Sequence, residues 1–155
     1  MFDAFFLARE KGFDSRRKLR LREPVCRYGL HRHQATRHFV LTLRAARLVE
    51  QAEVLVWTDS LINPQIAALA PATCESIRTS TLTLEEVMAV IVERAGAGKT
   101  VVRLHDGDPC LYGAMAEQIC RLADAGLGVE VVPGLSAYQA TASALQSELT
   151  IPGLV

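Results

Sequence analysis

Residues 100–113 read Thr100-Val-Val-Arg-Leu-His-Asp-Gly-Asp-Pro-Cys-Leu-Tyr-Gly113, and this stretch decides the fold. Its apolar first part predicts a short buried strand that ends at Leu104. Gly107 allows the backbone to come close to a ligand, and Asp108 can accept hydrogen bonds. Pro109 suits the first position of a helix, so a helix is expected to follow directly. A strand, a tight turn and a helix in succession are typical of α/β proteins.

The same alternation runs through residues 41–155. Strands are predicted at Val54–Trp57, Thr100–Leu104 and Val129–Val132, and helices at Leu43–Ala52, Pro64–Leu69, Thr83–Gly96, Leu111–Ala125 and Ala137–Leu145. This order predicts an α/β domain with an open, mostly parallel sheet flanked by helices. Three polar turns each follow a predicted strand, namely Thr58–Asn63, His105–Leu111 and Pro133–Ser136. Because an open parallel sheet binds its ligand at the carboxyl ends of its strands, these turns are where function is expected.

The last of these turns lies in the stretch Val131-Val-Pro-Gly-Leu-Ser-Ala-Tyr138, where Ser136 is predicted to cap the final helix. Taken alone, each stretch fits an ordinary turn, with Asp108 as a helix cap and Gly107 as a turn glycine.

Together, the two stretches closely resemble the tetrapyrrole methylase family, whose members methylate uroporphyrinogen, precorrin and cobalt-precorrin rings. The resemblance covers residues 41–155. It is also carried by Leu41-Thr-Leu-Arg-Ala-Ala-Arg-Leu-Val-Glu-Gln-Ala-Glu53, Trp57-Thr-Asp-Ser-Leu-Ile-Asn-Pro64, Ser80-Thr-Leu-Thr-Leu-Glu-Glu86 and Glu148-Leu-Thr-Ile-Pro152. Within the family, the chain is most similar to the members that methylate precorrin-4 at C-11.

The resemblance implies a methyltransferase of cobalamin biosynthesis that uses S-adenosylmethionine and acts on a corrin precursor, a tetrapyrrole. It implies two walls of a cofactor site, one formed by Asp106, Gly107, Asp108 and Leu111 and the other by Ser136 and Ala137. His105 and Tyr112 would lie near them. No general base is identified, and His105 is expected to be a packing or hydrogen-bonding residue. Asp59 stands where relatives usually have glycine, so the turn after Trp57 is expected to differ in detail.

Several alternatives stay open. The chain could methylate another precorrin, cobalt-precorrin or uroporphyrinogen position, or it could be an inactive remnant that retains only weak cofactor affinity. Family members continue into a second α/β domain that is absent from these 155 residues, so we expect a fragment, a decayed gene product or a partner chain that supplies the rest. A homodimer is a further expectation, since the full family dimerises.

Residues 1–40 differ from the remainder in charge. They carry ten Lys or Arg against four Asp or Glu, a net charge of +6, whereas residues 41–155 carry seven against thirteen. They have no sustained helical or strand period and are predicted to be an irregular basic extension. The basic cluster at residues 16–22 would also suit nucleic-acid binding, although little supports that reading and no nucleic-acid partner is expected.

The opening strand and glycine-rich loop typical of the family are also missing, and Tyr28–Phe39 stands in their place. Codons permitted for residues 33–37 can spell Pro-Gly-Asp-Pro in another reading frame. We therefore hypothesise that residues 1–40 are an out-of-frame translation of the usual start.

The remaining sequence features exclude several functional classes. No apolar run approaches the roughly 20 residues of a membrane-spanning helix, and no secretory signal is evident, so a cytoplasmic protein without a membrane partner is expected. Lys99 and Thr100 follow Gly98 as in a phosphate-binding loop, but the glycine required five residues earlier is absent. No metal site is expected, since the histidines at positions 31, 33 and 38 lack nearby carboxylates or thiols. The four cysteines form no Cys-x-x-Cys pair and are expected to be reduced thiols in small apolar niches.

Overall fold

The computed structural model describes residues 3–10, 41–150 and 152–153, and of residues 3–10 it describes the backbone. The strands are β1 (Asp3–Glu10), β2 (Val54–Trp57), β3 (Glu75–Arg78), β4 (Val101–Asp106) and β5 (Leu127–Val132). The helices are α1 (Leu43–Glu50), α2 (Pro64–Ala67), α3 (Leu84–Gly96), α4 (Met115–Asp124) and α5 (Ala137–Ala144). Among the described residues, none of these helices is long and apolar enough to cross a membrane.

The five strands form one sheet in the order β3-β2-β4-β1-β5. β2 pairs in parallel with β3 and β4, and Val54 lies opposite Val101. β1 pairs antiparallel with both β4 and β5, so β4 and β5 run in the same direction. Four of the five strands therefore run one way, and the prediction of an open, mostly parallel sheet flanked by helices is confirmed.

Helices cover both faces of the sheet. Successive strand side chains point to opposite faces, so each face presents apolar side chains that pack against helices in a separate core. The first core joins Leu55 and Trp57 of β2 to α1 and α2, through residues that include Ala45, Val49 and Ile66. The second joins Val54 and Val56 to α3 and α4, through residues that include Val87, Ile91 and Leu122. All four residues of β2 are buried, which explains why this strand reads as an unbroken apolar run.

The structure corrects the sequence analysis at two strands. Asp3–Glu10 forms a strand inside the sheet, so the prediction of irregular structure throughout residues 1–40 is wrong for these eight residues. β3 was not predicted either, because it has four residues and lies at the edge of the sheet. A two-residue period cannot be recognised reliably over so short a segment.

Three local expectations also change. α4 begins at Met115 and not at Leu111, so Pro109 does not occupy its first position. β4 continues to Asp106, which places His105 inside the strand and not in the turn. Of the cysteines, Cys110 and Cys120 are exposed, so the expectation of apolar niches is wrong for both.

Several features named from the sequence lie outside the described residues. They are the basic cluster at 16–22, the stretch 28–39 with its hypothetical frame shift, the histidines at 31, 33 and 38, and the cysteine at 26.

Candidate functional site

Four strands end at the same edge of the sheet because β2, β3, β4 and β5 run in the same direction. The chain leaves these strands through turns rich in polar and small residues, which are Thr58–Asp59, Thr79–Ser80, Asp106–Asp108 and Pro133–Ser136. Ligands of open α/β sheets bind at this edge. The predicted turns therefore meet where the sequence analysis expected a site.

Asp108 connects two of these turns. One carboxylate oxygen, Oδ1, accepts a hydrogen bond from the backbone N–H of Cys110 at 2.8 Å, which closes a small turn around the aspartate. The other, Oδ2, accepts a hydrogen bond from the backbone N–H of Gly134 at 3.0 Å. Asp108 is thus not the cap of α4. It holds the turn after β4 against the turn after β5.

The loop between Asp108 and α4 has an unusual backbone. Tyr112 and Ala114 have φ angles of 60° and 49°, a region that residues other than glycine enter at some energetic cost. Gly113 lies between them, and a Cβ atom at this position would be only 2.4 Å from the carbonyl oxygen of Pro109. This tight fold delays the start of α4 to Met115.

Gln118 stabilises the same loop from α4. Its side chain is only 2% exposed, and its Nε2 donates hydrogen bonds to the carbonyl oxygens of Gly113 at 2.8 Å and Ala114 at 3.4 Å. Gln118 was not among the residues predicted from the sequence. A glutamine on the apolar face of a predicted helix was the only local signal.

The six predicted site residues divide between the two turns that Asp108 joins. Asp106 and Leu111 are exposed, and Gly107 has a φ of 74° that favours glycine. Across the edge, Ser136 is buried and is the N-cap residue of α5, although its side chain makes no capping hydrogen bond. Ala137 is exposed at the first position of that helix.

A pocket of about 440 Å³ also lies beside this loop, lined by residues between Pro109 and Glu117. None of the six predicted site residues lines it, and Glu117 is its only charged lining residue. Ligand sites usually combine an apolar surface with several converging polar groups, and the edge of the sheet offers more of these. We therefore assign the candidate site to the edge of the sheet.

A second aspartate connects the other pair of turns. The carboxylate of Asp59 accepts hydrogen bonds from the backbone N–H and the hydroxyl of Ser80, both at 3.0 Å. Partial desolvation would raise the pKa of Asp59, but the two hydrogen bonds from Ser80 and the charge of Arg78 outweigh it and lower that pKa. Asp59 therefore fastens the turn after β2 to the turn after β3.

Two ionisable side chains of β4 are buried beneath the edge. Burial, aided by the charge of Arg103, lowers the pKa of His105 to about 3, so this imidazole is neutral near pH 7. Burial also lowers the pKa of Arg103 to about 10, partly offset by the charge of Asp106, and the guanidinium stays protonated. Within the described part of the chain, the Nε2 atom of His105 has no hydrogen-bond partner. A buried imidazole of such low basicity is a packing residue and a poor general base.

The described residues contain no group of three His, Cys, Asp or Glu side chains arranged to hold a metal ion.

Residues 40–155 match the family model of Tetrapyrrole (Corrin/Porphyrin) Methylases, and the chain belongs to this family. The resemblance found in the sequence is thereby confirmed.

Several individual proteins of this family are similar to the chain in sequence or in structure. The precorrin-4 C(11)-methyltransferase of Rhodococcus erythropolis is 40% identical over 115 residues, which cover 74% of this chain and 46% of that protein. The crystal structure of a cobalt-precorrin-4 methyltransferase, a cobalamin biosynthetic enzyme, matches with a TM-score of 0.70 at 38% identity, over 74% of this chain and 48% of that chain. A uroporphyrin-III C-methyl transferase from Thermus thermophilus, solved in complex with S-adenosyl homocysteine, matches with a TM-score of 0.59 at 32% identity, over 75% and 46% of the two chains. The chain thus spans about half the length of these proteins.

Proposed function

We propose that this chain forms the S-adenosylmethionine-binding part of a methyltransferase that acts on C-11 of precorrin-4 or cobalt-precorrin-4 in cobalamin biosynthesis. One observation carries the proposal. Asp108 holds the turn after β4 against the turn after β5, and the six predicted cofactor residues lie in these two turns or shortly after them. The names of the relatives supply the reaction and the substrate class.

The chemistry of the edge suits the cofactor. S-adenosylmethionine combines a flat apolar adenine, ribose hydroxyl groups and a charged amino-acid part. The exposed carboxylate of Asp106 can accept hydrogen bonds from hydroxyl or amino groups, and the exposed side chain of Leu111 offers an apolar surface. Gly107 carries no side chain that would keep a ligand from the backbone. The first N–H groups of α5 have no acceptor within the helix and can therefore donate hydrogen bonds to a ligand. We therefore infer that Asp106, Gly107, Asp108, Leu111, Ser136 and Ala137 would hold the cofactor.

The bound cofactor supplies an electrophilic methyl group on a sulfonium ion. The contribution of this chain is to bind and orient it, since holding two reactants in a productive geometry can account for much of the acceleration of a transfer reaction. Asp108 contributes by orienting the site, because each of its oxygens accepts a backbone hydrogen bond from one of the two turns.

Calorimetric titration with S-adenosylhomocysteine tests the proposal. We expect saturable binding by the wild-type chain and a dissociation constant raised about tenfold or more in Asp108→Ala, because hydrogen bonds to a charged group contribute about 1.5–3 kcal/mol. Asp124→Ala is the control and should bind like the wild type, since it removes an exposed carboxylate at the end of α4 that takes no part in the turns of this edge. A folded wild-type chain that does not bind S-adenosylhomocysteine would refute the proposal.

A second candidate is methylation of uroporphyrinogen III, favoured by the match to the uroporphyrin-III C-methyl transferase from Thermus thermophilus. Transfer of a radiolabelled methyl group from S-adenosylmethionine, measured in parallel with precorrin-4, cobalt-precorrin-4 and uroporphyrinogen III, separates the two. Labelling of uroporphyrinogen III alone would favour the second candidate. The homodimer, the cytoplasmic location and the absence of a nucleic-acid partner stay predictions.

A further inference from the structure

Arg103 occupies an unusual position for a charged residue. It lies in the middle of β4, and its side chain is on the face of the sheet that α3 and α4 cover, since Val101 two residues earlier belongs to the core on that face. Arg103 is only 8% exposed. Among the described residues, no carboxylate lies within ion-pair distance of its guanidinium. An unpaired buried charge is costly, so its contacts need a physical explanation.

The guanidinium bridges two strands where their pairing ends. Nη1 donates to the carbonyl oxygens of Val56 in β2 and Leu104 in β4, each at 3.3 Å. β2 ends at Trp57, whereas β4 continues for two further residues to Asp106. The guanidinium of Arg103 thus lies at the point where the backbone pairing of β2 with β4 ends.

The network continues to the third strand through two threonines. Nη2 of Arg103 donates to the hydroxyl oxygen of Thr58 at 3.4 Å, and that oxygen lies 3.3 Å from the hydroxyl oxygen of Thr79. The hydroxyl of Thr79, which is buried, in turn donates to the carbonyl oxygen of Trp57 at 3.3 Å. The ends of β2, β3 and β4 are therefore joined by the Arg103–Thr58–Thr79 network, in which Arg103 and Thr79 are buried and Thr58 is half-buried.

This network links the two pairs of turns that the aspartates Asp59 and Asp108 hold together. Asp59 and Ser80 join the turns after β2 and β3, and Asp108 joins the turns after β4 and β5. Neither aspartate connects the β2 turn to the β4 turn. Among the described residues, the Arg103–Thr58–Thr79 network connects the turn after β2 to β4 at Arg103 and Leu104, and β4 leads directly into the Asp106–Asp108 turn.

We propose that Arg103 is a positioning residue, which sets the turn after β2 against the Asp106–Asp108 turn so that both face the same ligand. The inference rests on the proposed function, since the ligand is S-adenosylmethionine. Arg103 touches neither the ligand nor the reacting atoms and acts through Thr58 and the strand ends. A planar guanidinium suits this task because its donors diverge in a fixed fork, which a lysine cannot reproduce.

The experiment uses S-adenosylhomocysteine as the probe and compares two pairs of variants of the whole chain. Arg103→Met removes the donors but keeps an apolar side chain in the core, and Arg94→Met is its control, since Arg94 pairs with Glu75 and Glu93 and takes no part in the network. Thr58→Val removes the hydroxyl at nearly constant shape, whereas Thr58→Ser keeps it. Thermal unfolding is followed by the fluorescence of the single tryptophan, which is Trp57.

We expect the dissociation constant of Arg103→Met to rise about tenfold at a temperature where the variant is fully folded, and that of Thr58→Val to rise by about threefold or more. Thr58→Ser and Arg94→Met should bind like the wild type. The double variant Arg103→Met/Thr58→Val should bind no more weakly than Arg103→Met alone, because both substitutions break the same connection. Backbone hydrogen exchange at residues 106–108 should also become faster in Arg103→Met without ligand.

Equal affinity of folded Arg103→Met, Thr58→Val and wild type would overturn the inference while leaving the proposed function intact. If Arg103→Met does not fold, the comparison of Thr58→Val with Thr58→Ser tests the inference alone. Equal affinity of these two variants would then overturn it. If the wild-type chain does not bind S-adenosylhomocysteine, it is the proposed function that fails.

Discussion

The carboxylate of Asp108 accepts a hydrogen bond from the backbone N–H of Gly134 at 3.0 Å, across 26 residues of chain. The strands that lead into these two residues, β4 and β5, are not neighbours, because β1 lies between them. Two strand spacings amount to about 10 Å, so a short side chain can reach across only if both turns bend towards each other. Asp108 therefore fixes the distance between the two sequence stretches that carry the family resemblance.

Substituting Asp108 by Asn keeps the size of the side chain but leaves one acceptor oxygen for two N–H donors. We expect the free energy of unfolding to fall by about 1–2 kcal/mol, because a hydrogen bond to a charged group stabilises the folded chain more than a neutral one by roughly this amount. Hydrogen exchange at the amide of Gly134 should become faster, as measured by NMR or mass spectrometry. Asp124→Asn, at the exposed end of α4, is the control and should change stability by less than about 0.5 kcal/mol. Unchanged exchange at Gly134 would contradict the bridging role.

The loop before α4 should not tolerate a side chain at position 113. In Gly113→Ala the new Cβ would approach the Pro109 carbonyl oxygen to 2.4 Å, so we expect a loss of about 1–3 kcal/mol in unfolding free energy. Gly96→Ala is the matched control, because no heavy atom lies within 4 Å of its Cβ position and it belongs to α3. That variant should be neutral or more stable by up to about 1 kcal/mol. Chemical denaturation measures both, and similar effects at the two positions would refute the packing argument.

His105 should make the protein sensitive to mild acid. The pKa of its imidazole is lowered from 6.5 to about 3 in the folded chain. Between these two values the unfolded chain binds a proton that the folded chain does not, so the free energy of unfolding falls as the pH decreases, by about 1.4 kcal/mol per pH unit. From pH 7 to pH 5 this single group should cost about 2 kcal/mol.

Denaturation of wild type and His105→Leu at pH 7 and pH 5 measures this contribution. The decrease in unfolding free energy between the two pH values should be smaller in the variant by about 2 kcal/mol. The pKa values of Asp59, Glu75 and Glu85 are lowered from 3.8, 4.5 and 4.5, so these carboxylates titrate below the chosen interval. Equal pH dependence of wild type and His105→Leu would exclude a buried neutral His105.

The capping box of α3 should contribute measurably to stability. The hydroxyl oxygen of Thr83 accepts a hydrogen bond from the Glu86 N–H at 3.3 Å, and the Glu86 carboxylate accepts one from the Thr83 N–H at 2.7 Å. We expect Thr83→Ala to lower the free energy of unfolding by about 1 kcal/mol and Thr83→Ser to restore most of it. Urea denaturation distinguishes the variants, and a Thr83→Ala variant as stable as the wild type would show that tertiary packing alone holds this helix.

Elements with short-range signals were predicted well. The helix α3 and the apolar strand β2 are found where the sequence indicated them, because a helix period and a buried strand depend on residues only a few positions apart. The short helix α2 likewise begins at Pro64, as the sequence predicted. The two turns of the candidate site were located by the same local reasoning.

The errors concern features that depend on distant residues. β1 contains the apolar run Ala4–Ala8, which could have indicated a strand. Its place in the sheet, however, depends on pairing with β4 and β5, which are distant in sequence. Leu111 to Ala114 look helical in sequence, yet the contact between Gly113 and Pro109 and the reach of Gln118 delay α4. No signal within a few residues of Arg103 shows that its donors meet β2 and Thr58.

The sequence alone determined the family, the α/β class and the residues of the two turns, since these depend on residue type and on spacing along a few turns of chain. Only the tertiary structure decided the strand order, the partner of each aspartate and the burial of Arg103 and His105. The physical reason is that hydrogen bonds and desolvation depend on which atoms lie within a few ångströms, and folding brings together atoms that no local pattern relates.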